Sequence, residues 1–284
     1  MTTYAAVPAT RASYAFGEGL RWDAARGRLL WVDLTAGRLH RAPLEDLDAV
    51  ETLADLHEPL GAFAPCASGG LLLAAGRGLA HLEDDGSVWG LRVLEPEANR
   101  MNDAGCDLQG RFWAGTTAWD EHEGAGALHR VDLDGTVVRV RGDVSVGNGP
   151  AFSPDGRTLY LDDSGRGVTL AYDLDADSGD LSGERVLVQH DRGAGDGLVV
   201  DDDGHLWVAL FGGSAVHRYD PRGRLVDVVE VPASQVSSCC LADGRLFVTT
   251  VAEGVDEPEA GRLFVADVGH HGPPVRPFLG ALPR

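Results

Sequence analysis

Residues 196–207 read Asp196-Gly197-Leu198-Val199-Val200-Asp201-Asp202-Asp203-Gly204-His205-Leu206-Trp207. An apolar run, an acidic turn closed by glycine and an apolar, aromatic run make two short strands joined by a tight turn. The second half of that plan recurs. Gly27 precedes Arg28-Leu29-Leu30-Trp31, Gly110 precedes Arg111-Phe112-Trp113, and Gly156 precedes Arg157-Thr158-Leu159-Tyr160. With Gly69 and Gly244 included, neighbouring turn glycines stand 40 to 48 residues apart, and six units fill the 284 residues. In the third unit strands are expected at 104–108, 110–115, 126–132 and 136–141. Four strands per unit at this period is the pattern of a propeller blade. The expected fold is therefore all-β: a six-bladed β-propeller of four-stranded antiparallel blades around a central channel, one domain over residues 1–284. Only Pro43 to His57 has room for a short helical turn. Ala9 to Tyr14 is expected to add an edge strand to the last blade, because an open ring would leave backbone groups unpaired.

Composition narrows the function. A formal net charge of −20 argues against nucleic acid, whose phosphates need clustered cations. All 24 basic residues are Arg, which removes Schiff-base chemistry, a phosphate-loop lysine and a lysine base. No window approaches the roughly 18 uncharged apolar residues of a spanning helix, and Met1 to Ala15 lacks a signal-peptide pattern. The chain is expected to be cytoplasmic, without a membrane or nucleic-acid partner, and a monomer or weak homo-oligomer. Cys66, Cys106, Cys239 and Cys240 show no CxxC spacing and read as reduced, packed thiols.

The repeat also locates a site. Asn102, Asn148 and Asp196 each stand eight residues before the turn glycine of their unit, and Glu18 stands nine before Gly27. Equivalent offsets put side chains at equivalent places around a ring, at one mouth of the channel. The other two units have Gly61 and Val236 there, so the ring is polar on four blades and plain on two. Glu18 and Asp196 supply two negative charges and Asn148 a neutral oxygen. Calcium, magnesium and manganese prefer such donors, and zinc accepts them. Three ligands leave coordination positions open for water or substrate, as a Lewis-acid hydrolase requires. Strand-end capping is the alternative for any one of them alone. In extended chain Arg100 and Asn102 point to the same side, where a guanidinium can hold an oxygen-rich substrate or a developing oxyanion. Asp103 reads as a loop anchor. Asp120, in the polar stretch 119–124, can present a carboxylate over the same mouth or lie in solvent.

These residues resemble the senescence-marker-protein, regucalcin and gluconolactonase family of six-bladed propellers. The match lies in Gly17-Glu18-Gly19-Leu20-Arg21-Trp22, in Asn99 to Asp103 with Gly110 to Thr116, in Asn148 to Gly156, and in Asp196-Gly197-Leu198 with Asp203 to Trp207. The resemblance implies that Glu18, Asn148 and Asp196 bind one divalent metal ion, calcium or zinc before magnesium or manganese. It implies that Asp196 is also the catalytic general base, and that Arg100 and Asn102 contact substrate. Asp120 occupies a position where some relatives carry a substrate-contacting Glu. Thr117, where many relatives have Met, and Leu241-Ala242-Asp243, where many have Phe-Gly-Gly, depart from the pattern. The implied activity is metal-dependent hydrolysis of a small sugar lactone, such as gluconolactone, to its acid. The competing readings are a promiscuous arylesterase or organophosphate hydrolase, and a non-catalytic calcium-binding propeller.

Two other patterns carry less. Asp173, Asp175, Asp177 and Glu184 fall at calcium-loop positions, but Ser178 replaces the turn glycine and strands flank it. Ser145 misses the nucleophile-elbow spacing by one residue.

Overall fold

The computed structural model describes residues 1–283. Six sheets form, each a blade of four antiparallel strands counted outward from the channel. The inner strands of blades 1 to 6 are Gly17–Asp23, Leu60–Pro65, Asn99–Cys106, Gly147–Phe152, Ala194–Val200 and Val236–Ala242. Buried apolar side chains fall into six clusters, one at each blade-to-blade interface, so the core is itself a ring.

The third blade runs through Asn99–Cys106, Phe112–Ala118, Gly126–Val131 and Val137–Val144. Its inner strand begins five residues before the expected start, and this draws Arg100 and Asn102 into the strand itself. The stretch from Pro43 to His57 holds no helix: Leu44 to Val50 is a run of turns and Glu51–Asp55 is the outer strand of blade 1. The only helical element among the described residues is one 3-10 turn, Ser164–Arg166.

The ring closes through the amino terminus, though with different residues from those expected. Val7–Pro8 pairs with Phe264–Asp267 as the outer strand of blade 6, and Thr2–Ala5 pairs in parallel with Leu225–Glu230 as a fifth strand on blade 5. From Ala9 to Tyr14 the chain follows the same edge without a continuous ladder. Ala9 N donates to Leu263 O (2.7 Å) and Tyr14 N to Gly261 O (2.8 Å). Between them Thr10 turns its hydroxyl back onto Ala12 O.

The carboxyl-terminal tail straps the opposite face. Val275 N donates to Trp22 O, Phe278 N to Pro65 O, Leu279 N to Gly110 O and Ala281 N to Leu133 O. Phe278 is fully buried between blades 2 and 3, and Pro273 to Arg276 cover a small cavity of about 90 Å³ at the far end of the channel.

Blades 3 and 5 share a buried polar module. Asp107 accepts the Trp113 indole N–H at 3.0 Å, and Arg130 lies 5.5 Å over that ring. Asp201 accepts the Trp207 N–H at 3.0 Å and also binds Arg218, which lies 5.4 Å over Trp207. Each acid also accepts backbone N–H groups of the turn that follows it, locking the turn to the sheet.

Candidate active site

Each inner strand breaks register with its neighbour close to the channel mouth. The breaks fall between Glu18 and Arg21, Leu60 and Ala62, Met101 and Ala104, Asn148 and Ala151, Gly195 and Leu198, and Val236 and Ser238. A bulge re-aims the side chains at the break. Glu18, Asn102, Asn148 and Asp196 all stand in or beside these bulges, so the offset in the sequence corresponds to a repeated backbone device. Gly61 serves the same end in blade 2: a Cβ there would lie 2.1 Å from the Asn102 carbonyl oxygen.

The two amides and the arginine form a chain. Arg100 Nη1 donates to Asn102 Oδ1 at 2.5 Å, and Asn102 Nδ2 donates to Asn148 Oδ1 at 2.6 Å and to Gly147 O at 3.1 Å. Asn148 Nδ2 donates in turn to Ser164 Oγ at 2.8 Å, and that hydroxyl donates to the carbonyl of Gly195, the neighbour of Asp196. Asn148 is thereby held by both ends of its amide.

The two acids face each other. Glu18 and Asp196 are 4% and 6% exposed, and their carboxyl groups lie within hydrogen-bonding reach of one another. Burial, and then the charge of Asp103, pushes Glu18 above the usual carboxylate range, while burial and then Glu18 push Asp196 well above it. The Gly19 N–H bonds Glu18 Oε2 at 2.8 Å, yet no Arg or His forms an ion pair with either acid among the described residues. Two buried carboxylates without a cationic partner, beside a pinned amide oxygen, are a donor set that suits a hard divalent cation. No three His, Cys, Asp or Glu side chains gather as a metal group anywhere among the described residues, and the donor set here is two carboxylates and one amide.

Asp103 anchors the floor. Its Oδ1 accepts Arg21 Nη2 at 2.8 Å and Ala104 N at 2.7 Å, and its Oδ2 accepts Gly149 N at 3.2 Å. Burial raises its proton affinity and Arg21 opposes that rise. Arg21 also donates to Ala104 O at 2.6 Å, crossing the channel from blade 1 to blade 3 below the site.

Arg100 is 8% exposed and sits 5.8 Å from the centre of the Trp119 ring. Burial lowers its proton affinity, against the opposing charges of Glu121, Glu18 and Asp196. Asp120, by contrast, stays outside the buried cluster. Its side chain is 74% exposed and its Oδ1 meets His122 Nδ1 at 2.5 Å, because the loop after Ala118 turns outward with Glu121 at φ 54°. Trp119, which the repeat offset does not mark, is the loop residue that packs on Arg100, and the charge of Glu121 acts on the same guanidinium.

A second group was invisible in the sequence. Phe16 and Phe211 stack with centroids 6.3 Å apart and planes 15° apart. They belong to blades 1 and 5 and meet over blade 6, a contact across 195 positions that no periodicity announces. The calcium-loop pattern resolves differently: the Ala176 and Gly179 carbonyls accept Arg111 and Arg130, and Glu184 pairs with Arg141. The turn's oxygens already hold the protein's own cations. Ser145 Oγ accepts Gly124 N, with no histidine beside it.

A family model described as the SMP-30/gluconolactonase/LRE-like region matches residues 16–252, a span that includes every residue of this site. The chain belongs to the SMP-30/gluconolactonase/LRE-like family. Among curated relatives, a putative sugar lactone lactonase of Bacillus subtilis is 34% identical over 93% of this chain and 95% of its own length. A 6-deoxy-6-sulfogluconolactonase of Pseudomonas putida is 36% identical over 90% and 92%. Among solved structures, a calcium-binding protein, regucalcin, from Agrobacterium tumefaciens superposes with a TM-score of 0.91 at 28% identity, covering 98% of this chain and 99% of that one. In this gluconolactonase-like family the chain keeps the full propeller, and no helix among its described residues is long and apolar enough to cross a membrane.

Proposed function

We propose that the chain is a metal-dependent lactone hydrolase that opens sugar lactones to their acids. One observation carries the reading: two buried carboxylates, Glu18 and Asp196, meet without a cationic partner beside the oriented amide of Asn148. Glu18, Asn148 and Asp196 would hold a divalent cation, which when bound polarises a lactone carbonyl. The names of the lactonase relatives support the same chemistry.

The remaining steps belong to the chain's own side chains. Asp196 takes the proton of an attacking water and returns it to the ring oxygen as that bond breaks. Burial beside Glu18 raises the proton affinity of Asp196 and a bound cation would lower it, so that cation would keep the carboxylate ionised to accept the proton. Arg100 supports substrate oxygens, and Trp119 screens its guanidinium from water, which strengthens its field at the site. Asn102 keeps the Asn148 oxygen aimed inward and Arg100 in place.

The test is a pH-indicator assay on D-glucono-1,5-lactone and D-galactono-1,4-lactone, with chelated protein and with calcium, zinc, magnesium or manganese restored. The expected outcome is ion-dependent opening, lowered roughly 10²- to 10⁴-fold by Asp196→Ala. Similarity to the calcium-binding regucalcin of Agrobacterium tumefaciens favours a second reading, calcium binding without turnover. That reading prevails if calcium binds and no ion accelerates either lactone.

A further inference from the structure

The channel mouth is polar on one side and apolar on the other, and most of its polar groups are already committed. Asn102 gives both amide hydrogens to Gly147 O and Asn148 Oδ1 and its oxygen to Arg100. Asn148 is bonded to Ser164, and Asp120 is engaged by His122 in solvent. Arg100 uses Nη1 on Met101 O and Asn102, which leaves its other N–H groups for a ligand. A single guanidinium therefore provides the hydroxyl recognition on the side of blades 3 and 4.

Across the carboxylates the wall is hydrocarbon. Phe16 and Phe211 come from blades 1 and 5, yet stack at 6.3 Å, and their backbones bridge to Val251 and Gln235 at the entry of blade 6. Each is only partly buried. The polar groups beneath them are engaged: Gln235, which bridges to Phe211, gives its amide hydrogens to Val251 O at 3.3 Å and Glu253 O at 2.8 Å, Ser237 Oγ donates to Gly17 O at 2.6 Å, Ser238 Oγ accepts Leu20 N, and Val236 is fully buried. A sugar lactone held at its carbonyl beside Glu18 and Asp196, with ring hydroxyls toward Arg100, directs its far end at these rings. A hydroxyl pressed there loses water and gains no partner, whereas a methyl group buries apolar surface.

We propose that the preferred substrates are 6-deoxy sugar lactones, whose terminal carbon is a methyl packed against Phe16 and Phe211. This rests on the lactonase reading of the same site and adds its substrate class.

A matched pair differing by one oxygen tests it: L-mannono-1,4-lactone and its 6-deoxy form, L-rhamnono-1,4-lactone, with the ion-loaded full chain. The deoxy lactone is expected to have a kcat/KM roughly tenfold higher. Phe211→Ala should bring the ratio toward one, and Phe211→Tyr, which offers a phenol to the hydroxyl, should shift it toward the mannono form. The wild-type ratio needs no variant, so a misfolded mutant does not blunt the test. Equal turnover of the pair by the wild-type chain overturns the substrate class and leaves the lactonase reading intact. If neither lactone nor D-glucono-1,5-lactone opens, the lactonase reading falls and the substrate class with it.

Discussion

Glu18 and Asp196 illustrate what a buried acid pair costs when nothing balances it. Both have their proton affinity raised in the fold, by burial first and by neighbouring acids next. A carboxylate whose folded pKa exceeds its unfolded one favours folding while protonated. Its contribution is whole below the ordinary carboxylate range and is lost as pH rises through the raised values. Chelated protein should therefore lose thermal stability as pH climbs from acid to mildly alkaline, and a bound divalent ion should restore it most at the alkaline end. Melting curves at stepped pH with chelator and with calcium check this, and a restoration independent of pH would contradict it. These residues could be singled out because the repeat returns them eight or nine residues before its turn glycine. Asp120 was less legible, since the outward turn of its loop is specific to one blade and depends on Glu121 adopting a positive φ. Phe16 and Phe211 were not legible at all, because two rings that meet across a third blade leave no local trace.

The inner strand is the element that turns sequence into site. Its bulge faces the polar residue into the mouth, and the plain blades contribute by staying out of the way. Gly61 shows this most directly, with Asn102 O standing where its Cβ would be. Gly61→Ala should push the blade 3 strand aside, with a stability loss of about 1–3 kcal/mol. Activity should fall further than folding does, because the displaced residue is the one that holds Arg100 and Asn148. Denaturant titration beside initial rates separates the two, and an active, unperturbed variant would show that the close approach is dispensable. Turn glycines made the blades countable in the sequence, whereas strand ends were harder. The entry of blade 3 was expected too late because Asn99 to Asp103 is polar and reads as loop, although it is buried strand. Burial there comes from ring geometry, which local propensity does not encode.

At the scale of the molecule, stability is spread over six interfaces and two closures. The number of blades and their order followed from the period. The tail's path did not, since Gly and Pro-rich sequence says little about where it docks. Phe278 is the tail's anchor, fully buried with Cys66, Cys106 and Phe112 between blades 2 and 3. Phe278→Ala should lower unfolding free energy by about 3–5 kcal/mol, read from a denaturation midpoint. A change within experimental scatter would mean that the tail is ornamental. The strap and Arg21 together also decide direction of traffic. With the far end covered by Pro273 to Arg276 and the waist crossed by Arg21, the bore is a cup with one lip. Whatever is bound beside Glu18 and Asp196 must leave by the way it entered, so a newly made acid stands in the path of the next lactone. Release and capture then share a single doorway.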